Sequence, residues 1–497
     1  MKNKIAGSIL FVSSILFVFF SYKIYQLSDL FVYGENHSER PVLEFTGAYL
    51  ALWFIYAAGI FAVYRLKHKG FLFVIFAVAI IARICMLNSN VILEHDFYRY
   101  MWEGKEITQG INPFAKAPVE VGVSLVEPDE TRHAEVSLIQ DRIYYSELTS
   151  VYPHLAQATF ALNAMLWDWD LYGFRKTFIL FDIGIIILFL LILRIRKENR
   201  LYLLIYLWNP LLLKEVYNSM HIDIAASFFI ILFIFLIHKK QWVFSSFALF
   251  AAALVKIMPL LLFPLLYVYF LRTGKIKQFV ISSICCLIVG LLCIKSMYIG
   301  IDRTNKSEVE AGDIQKPVDT PFGGLKAFSD GWAINGSLHY ALAEFYSYGN
   351  ITLLAPETLE TMDAGKIYIR QEQLAKNTLF ILLLLIIIGL SLFIKTQKHL
   401  LLACGWVVML IFICSPVGNP WYLLWLLPFL IIYRQWPWLI LMICTSLYYH
   451  IFWIEYHIST NQEYHFKYLQ IIEYLPFFIY TLIWWYYKYK KKMVLDE

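Results

Sequence analysis

The chain has 497 residues, of which 60% are hydrophobic and 16% are charged, and its mean hydropathy is +0.60. A soluble core of this length cannot bury so much apolar surface, so the composition excludes an ordinary soluble protein and predicts an all-α, polytopic transmembrane helix bundle. The formal net charge of +5 is scattered in short basic clusters, which argues against nucleic-acid binding. All seven cysteines lie in or beside apolar segments, so neither a disulfide framework nor a zinc site is predicted.

Apolar segments recur along the whole chain, and we expect about 13 to 15 of them to enter the membrane as helices. In chain order they are 5–25, 43–64, 70–88, 175–194, 200–214, 222–238, 241–256, 258–272, 277–297, 377–396, 399–414, 421–433, 437–454 and 470–488. The first is interpreted as an uncleaved span, because no small-residue cleavage site precedes Tyr22. The further apolar segment 151–167 is predicted to be re-entrant or partial, since a full crossing would place Arg194–Arg200 outside.

Basic clusters follow alternate spans, which places those clusters and both termini on the cytoplasmic side. We therefore divide the chain into an N-terminal transmembrane pair (1–69), a transmembrane core (70–297) whose first external loop is 89–174, an external loop (298–376) and C-terminal transmembrane helices (377–497). Neither external region has the strand–helix alternation of a soluble domain, and helical loops are expected. No phosphate-binding loop of the GxxxxGK[ST] type occurs, which argues against ATP-driven transport by this chain.

The densest polar cluster outside the predicted spans is Glu94-His95-Asp96-Phe97-Tyr98-Arg99-Tyr100, directly after the span that ends near Leu87. A carboxylate there can take the proton of an attacking hydroxyl, and a guanidinium one helical turn away can hold a phosphate oxygen. The alternative is interfacial capping, in which Asp96 accepts backbone N–H bonds and Arg99 snorkels to lipid headgroups.

Other polar residues lie at the predicted external ends of spans. His221 and Asp223 can bind acceptor hydroxyls or a divalent cation, or they can complement a helix N-terminus. Lys256, between two apolar runs, can meet a phosphate or snorkel along its own stem. Trp421 and Tyr422 can stack on a sugar or an isoprene unit, or form an interfacial aromatic pair.

Two further sequence features, an arginine within a span and a DxD-like segment, are not expected to take part in the chemistry. Arg83 lies about one turn from the end of its span and is expected to snorkel. Asp168-Trp169-Asp170 has the DxD spacing used by nucleotide-sugar transferases to hold a metal, but no nucleotide-binding fold accompanies it. We interpret it as a solvated turn.

The first external loop reads His95-Asp96-Phe97-Tyr98-Arg99-Tyr100-Met101-Trp102-Glu103-Gly104, then Gly110-Ile111-Asn112-Pro113-Phe114 and Pro118. This pattern resembles the first-loop motif of bacterial GT-C glycosyltransferases. Landmarks that look similar follow in the same order: Tyr152-Pro153, Trp208-Asn209-Pro210, Asn218 through His221 with Asp223, Leu254-Val255-Lys256 with Pro259 and Pro264, and Asn419-Pro420-Trp421-Tyr422 with Pro428.

The resemblance implies a multi-span enzyme that takes a sugar, often mannose, from a polyprenyl-phosphate donor, with Asp96 as the catalytic base. Residues expected to bind substrate are His95, Tyr98, Arg99, Asn112, His221, Asp223, Lys256, Trp421 and Tyr422. Neither a metal nor another cofactor is expected. The expected partners are the lipid-linked donor, a glycolipid or glycan acceptor and the bilayer, with the active site on the extracytoplasmic face of a bacterial inner (plasma) membrane.

A flippase or transporter of lipid-linked sugars is the alternative from another class. It would also have many spans, intramembrane cations and no ATPase domain. Such a protein is expected to show internal repeats and charges lining the bundle between both membrane faces. The sequence shows no convincing repeat, and its strongest polar residues cluster on one predicted face.

Overall fold

The computed structural model describes residues 2–32, 34, 37–301, 320–352, 364–460 and 462–496, and those residues form no β-strand. Their one extended pairing is a parallel bridge between Ile334 and Val417. The predicted all-α class is therefore confirmed for the described chain. Parts of the external loop 298–376 lie outside the described residues.

Among the residues that the structure describes, seven helices are long and apolar enough to cross a membrane. They are Asn3–Ser28, Val42–Val63, Gly173–Ile195, Ile276–Met297, Gly365–Leu392, Gln397–Cys414 and Trp436–His457, the last with a 3₁₀ turn at Thr445–Tyr449. Shorter apolar helices are Phe71–Leu87, Asp223–His238, Trp242–Val255 and Met258–Arg272. The remaining helices of four or more residues include Phe97–Thr108, Val123–Val126, His133–Asp141, His154–Trp167, Gly323–Gly331, Ser337–Tyr348, Leu427–Tyr433 and Gln462–Asp496.

The expected single span at 200–214 is wrong. The chain there runs as a 3₁₀ helix (Arg200–Leu203), two short α-helices (Leu204–Leu207 and Pro210–Leu212) and a π-helix (Leu213–Asn218). Pro210 lacks a backbone N–H and disfavours helical geometry in the residue before it. The side chain of Asn209 caps the restart by accepting a hydrogen bond from the Leu212 N–H.

Two other apolar segments also depart from simple spans. Segment 421–433 is split into a 3₁₀ helix, Pro420–Trp425, and an α-helix, Leu427–Tyr433. Segment 151–167 contains one helix, His154–Trp167, of 14 residues. At about 1.5 Å per residue this helix reaches roughly 21 Å, short of the ~30 Å of hydrocarbon, and its partial insertion stays a prediction.

The first of two compact units consists of Met1–Glu94, Ile186–Ser219 and Gly418–Glu497. Its core includes Trp208, whose ring stacks on Phe17 at 5.2 Å and whose indole N–H donates to the Ile75 carbonyl at 2.9 Å. Arg83 is buried in this unit and donates to the Leu207 carbonyl at 2.8 Å and to Tyr217 Oη at 3.2 Å. The expectation that Arg83 snorkels is therefore wrong, because protein acceptors lie within its reach.

The second unit consists of His95–Ile185 and Met220–Val417. Helices Phe97–Thr108 and His154–Trp167 pack closely in it, since Gly104 has no Cβ and the Phe160 carbonyl oxygen lies 2.4 Å from where one would be. Helices Asp223–His238 and Trp242–Val255 form a hairpin joined by a three-residue turn. The start of the first and the end of the second share one end of the hairpin, where Asp223 and Lys256 lie.

Candidate active site

Asp96 is the partly exposed residue in an otherwise buried run, 91–104. It occupies the position before helix Phe97–Thr108, yet its side chain makes no cap hydrogen bond. Its carboxylate also has no hydrogen bond or ion pair with any residue that the structure describes. The capping alternative is therefore not observed, and the carboxylate is available to a molecule from outside the protein.

Lys256 lies between a carboxylate and an aromatic ring of the same unit. Its Nζ is 3.9 Å from Asp223 Oδ2 and 4.8 Å from the centre of the Tyr152 ring. The Lys256 side chain is 16% exposed, whereas Asp223 is fully buried. Lys256 follows the last residue of its helix in extended geometry, which directs it away from the helix axis. An ion pair and a cation–π contact together stabilise the ammonium at this depth.

Tyr100 and Tyr152 connect Asp96 with the Asp223–Lys256 pair. Their rings meet edge to face with centres 5.1 Å apart. Burial raises the pKa of Tyr100 well above its ordinary value, and the charges of Asp96 and Asp223 raise it further. Burial also raises the pKa of Tyr152, with Asp96 adding to the effect. The charge of Asp96 thus acts on both hydroxyls and the charge of Asp223 on that of Tyr100, and both hydroxyls stay protonated.

Arg99 is buried, and its guanidinium donates its hydrogen bonds to acceptors within the protein. Its guanidinium binds Glu103 Oε1 at 3.0 Å and the carbonyls of Leu148, Tyr144 and Tyr145. The snorkelling alternative for Arg99 is therefore not observed. These contacts fix helix Phe97–Thr108 to the loop that precedes Tyr152.

Glu103 was not among the sequence-predicted site residues, although it lies in the recognised motif and one turn after Arg99. Its Oε2 accepts hydrogen bonds from Ser150 Oγ at 2.8 Å and from Gln157 Nε2 at 2.6 Å. Burial raises its pKa, and Arg99 opposes that effect. Its i, i+4 spacing from Arg99 was the available signal, whereas Ser150 and Gln157 are brought in only by the fold.

Three predicted substrate-binding residues next to this site have protein contacts. Tyr98 Oη accepts a hydrogen bond from Arg142 at 2.9 Å. The His95 ring stacks near Phe97 and Tyr98, with centres 6.3 and 6.0 Å away. His221 is fully buried two residues before Asp223.

Asn112 caps the end of an apolar helix. Its Nδ2 donates to the carbonyls of Ile299 (2.7 Å), Met297 (3.1 Å) and Ser296 (3.4 Å), at the C-terminus of helix Ile276–Met297. Its Oδ1 accepts from the Phe114 N–H at 3.1 Å. The contacts of Nδ2 are structural, because they supply a donor to carbonyls at a helix end, where intrahelical partners are missing. The contact of Oδ1 holds the side chain against its own loop.

Trp421 and Tyr422 belong to the first unit, whereas Asp96 and Lys256 belong to the second. Trp421 is buried, and its ring lies edge-on to Tyr448 with centres 6.3 Å apart. Tyr448 Oη donates to Glu94 Oε1 at 3.1 Å. Tyr422 stacks on Trp425 with centres 5.2 Å apart. These aromatic rings form one packed cluster in that unit.

The DxD-like segment lies in a turn, as expected from sequence, and its two carboxylates are partly exposed and ion-paired. The Asp168 carboxylate binds Lys105 and Arg132, and Trp169 is buried with its indole N–H donating to Glu127 Oε2 at 2.7 Å. Salt bridges lower the pKa of Asp168 against the opposing effect of burial. Within the described residues, no group of three or more His, Cys, Asp or Glu side chains is arranged to hold a metal ion.

Comparison of the chain with protein-family models, with curated proteins and with solved structures found no match.

Proposed function

We propose that this protein is a membrane glycosyltransferase that moves a sugar, mannose by expectation, from a polyprenyl-phosphate donor to a hydroxyl of a glycolipid or glycan acceptor. The observation that carries the proposal is Asp96. It is a partly exposed carboxylate with no hydrogen bond or ion pair among the described residues, and its charge acts on Tyr152, whose ring contacts Lys256. A general base needs this availability.

The reaction is a single displacement at the anomeric carbon. As the acceptor oxygen attacks that carbon, its proton passes to Asp96, and the bond from the carbon to the phosphate oxygen breaks with its electron pair on the phosphate. The products are the glycoside with inverted configuration, the protonated Asp96 and the polyprenyl phosphate. Asp96 later returns its proton to water.

Lys256 is the cation that we assign to the leaving phosphate. Its ammonium is partly exposed and is held by Asp223 and the Tyr152 ring, so it is oriented before substrate arrives. A charge-assisted hydrogen bond from Lys256 would stabilise the negative charge that develops on the phosphate. Arg99, whose guanidinium already binds Glu103 and three carbonyls, positions the helix that follows Asp96.

A lipid-linked donor suits a protein built of apolar helices. The reactive head of a polyprenyl phosphate lies at the membrane surface, so the enzyme needs no nucleotide-binding domain. Non-helical backbone near that surface is tolerated where it is buried or lines a cavity. The proposed location is the extracytoplasmic face of a bacterial inner membrane.

The decisive experiment compares sugar transfer by the purified wild type with transfer by Asp96→Asn. The donor is a radiolabelled synthetic polyprenyl-phosphate mannose, and the acceptor is a membrane extract. The substitution keeps the side-chain shape and removes the base, so we expect a loss of ~10² or more in rate. Asp129→Asn is the matched control, because Asp129 is an exposed carboxylate of the same unit that caps Thr131, a role Asn also fills.

Equal transfer by wild type and Asp96→Asn would remove Asp96 from the mechanism. Absence of transfer by either protein, together with movement of the lipid-linked sugar across liposome membranes, would support the flippase alternative. The liposome measurement uses the same donor, so the two functions are separated by one set of reagents.

A further inference from the structure

Seven cations lie on the turns at one end of the second unit, away from the residues assigned to catalysis. They are Lys239, Lys240, Arg272, Lys275, Lys277, Lys395 and Lys398, and all except the partly exposed Lys275 are exposed. We name this set the basic end. Its residues come from three separate helix-to-helix turns of the chain.

Tertiary contacts hold these three turns together. Gln397 Nε2 donates to the Ile237 carbonyl at 3.3 Å, which joins the third turn to the first. Arg272 donates to the Leu392 carbonyl, which joins the second turn to the third. Lys275 Nζ lies 4.8 Å from the Trp242 ring centre, which joins the second turn to the first. The basic end is therefore one surface and not three unrelated loops.

The charge of the basic end is not balanced by acidic residues. Residues 224–301 and 373–417 contain no Asp or Glu. None of the seven cations forms an ion pair with any part of the chain that the structure describes. Burial lowers the pKa of Lys275, and the charge of Lys240 lowers it further. A bound anion would relieve this repulsion.

An apolar groove opens beside the basic end. It has a volume of about 280 Å³ and lies between the end of helix Ala364–Leu392 and the start of helix Gln397–Cys414. Its lining includes Phe393, Ile394, Leu402 and Trp406, with His399 the ionisable residue among the lining side chains. Lys395 and Lys398 lie on the same turn and helix start as this lining.

We infer that the basic end and the groove form a binding site for an anionic phospholipid. The phosphate of the headgroup pairs with the cations of the three turns, and part of one acyl chain lies in the groove. The cations and the apolar groove together indicate the ligand class. A soluble anion would not fill the groove, and a zwitterionic lipid would leave the net positive charge uncompensated. Basic pockets between membrane helices bind anionic headgroups by this chemistry.

The test uses photoreactive lipids in vesicles of phosphatidylcholine that contain the full chain. One probe is a phosphatidylglycerol with a diazirine on its acyl chain, and the other is the matched phosphatidylcholine. Labelled peptides from 390–406 are quantified by mass spectrometry. At low salt we expect the anionic probe to label this segment about fivefold or more above the zwitterionic probe. The preference should fall toward equality at about 1 M salt, where the Debye length is ~3 Å.

The variant Lys240→Gln/Lys275→Gln removes two cations of the basic end and should lose most of the preference. Lys67→Gln/Lys69→Gln is the matched control, since it removes two exposed cations from another basic turn and should keep the preference. Equal labelling by both probes in the wild type would overturn the proposal, leaving only an apolar groove. An equal loss in both variants would also overturn it, because the preference would then come from overall charge. The salt dependence is measured on the wild type, so this part of the test does not depend on whether a variant folds.

Discussion

Asp223 and Lys256 meet across the open end of one helix hairpin, with Oδ2 and Nζ 3.9 Å apart, and Tyr152 covers the ammonium from another helix start. The carboxylate is fully buried and the ammonium is partly exposed. The ammonium, and not the carboxylate, is therefore the part of this pair that reaches the surface. Under the proposed function, these contacts orient the ammonium before the phosphate binds, which lowers the entropic cost of binding.

Lys256→Gln is expected to lower kcat/KM for the donor about 10- to 100-fold, because a hydrogen bond to a charged group would be lost. Steady-state kinetics with varied donor and varied acceptor measure the effect. Lys256→Arg should recover part of the loss, since it keeps the charge. A variant with unchanged donor kinetics would show that Lys256 serves only the ion pair with Asp223.

The aromatic ring of Tyr152 is expected to contribute more to activity than its hydroxyl group does. Tyr152→Phe keeps the aromatic face over Lys256 and should retain most of the activity. Tyr152→Leu removes the cation–π contact, worth about 0.5–2 kcal/mol, and should weaken donor use by several-fold. The same kinetic measurement compares the two variants, and equal losses in both would contradict the assignment to the ring.

Asn112→Ala separates a structural role from the predicted substrate-binding role. The substitution removes the donor that caps the carbonyls at the end of helix Ile276–Met297, which should lower the free energy of unfolding by about 1 kcal/mol. We therefore expect a lower thermal midpoint in detergent. KM for both substrates should stay unchanged in the folded fraction. A raised KM with an unchanged midpoint would instead favour direct contact with substrate.

Gly104→Ala is expected to destabilise the second unit strongly. A Cβ at Gly104 would lie 2.4 Å from the Phe160 carbonyl oxygen, which belongs to helix backbone and cannot move aside cheaply. Overpacking of this kind costs roughly 1–3 kcal/mol. Gly389→Ala is the matched control, because Gly389 is also helical and has nothing within 4 Å of that position. Thermal midpoints of the two variants should differ clearly, and equal midpoints would contradict the close packing.

Glu106 is expected to make stability fall as the pH rises. Burial raises the pKa of Glu106 to about 8, with Glu103 adding to the rise and Arg99 and Lys116 opposing it. Between the unfolded pKa of ~4.3 and the folded value, the folded state binds more protons. The free energy of unfolding therefore decreases with pH through that interval.

Glu106→Gln should flatten this dependence. The amide has no proton to lose, and its oxygen can still accept the hydrogen bond from the Trp102 indole, which is 2.7 Å long in the wild type. Thermal midpoints of wild type and variant, measured from pH 5 to about 9, should diverge in favour of the variant as the pH rises. Parallel curves would show that Glu106 does not titrate in this interval.

Hydropathy along the sequence predicted the helical class and most helix positions. The same signals failed at 200–214, because an average over apolar residues does not register the effect of Asn209-Pro210 on the backbone. The carboxylate of Asp96 and the ammonium of Lys256 were both named from sequence, since a charge at the end of an apolar run is conspicuous. Their functional roles remain predictions.

The sequence did not predict the hydrogen-bond acceptors of Arg99. Its three carbonyl acceptors lie 45–49 residues further along the chain, and no periodicity marks a loop that folds back onto a helix. For the same reason Ser150 and Gln157 were not associated with Glu103. Long-range hydrogen bonds to backbone carbonyls depend on loop geometry, which residue type alone does not specify.

The cap that Asn112 supplies has a mechanical consequence. Helix Ile276–Met297 has 22 residues, about 33 Å of length, and is largely exposed along its apolar surface, so in a bilayer the hydrocarbon thickness would set its height. Asn112 ties the last carbonyls of that helix to the loop that follows helix Phe97–Thr108. In a bilayer, a hydrocarbon thickness that tilts this helix would also pull on the loop to which Asn112 belongs. That loop follows the helix whose first residue is next to Asp96.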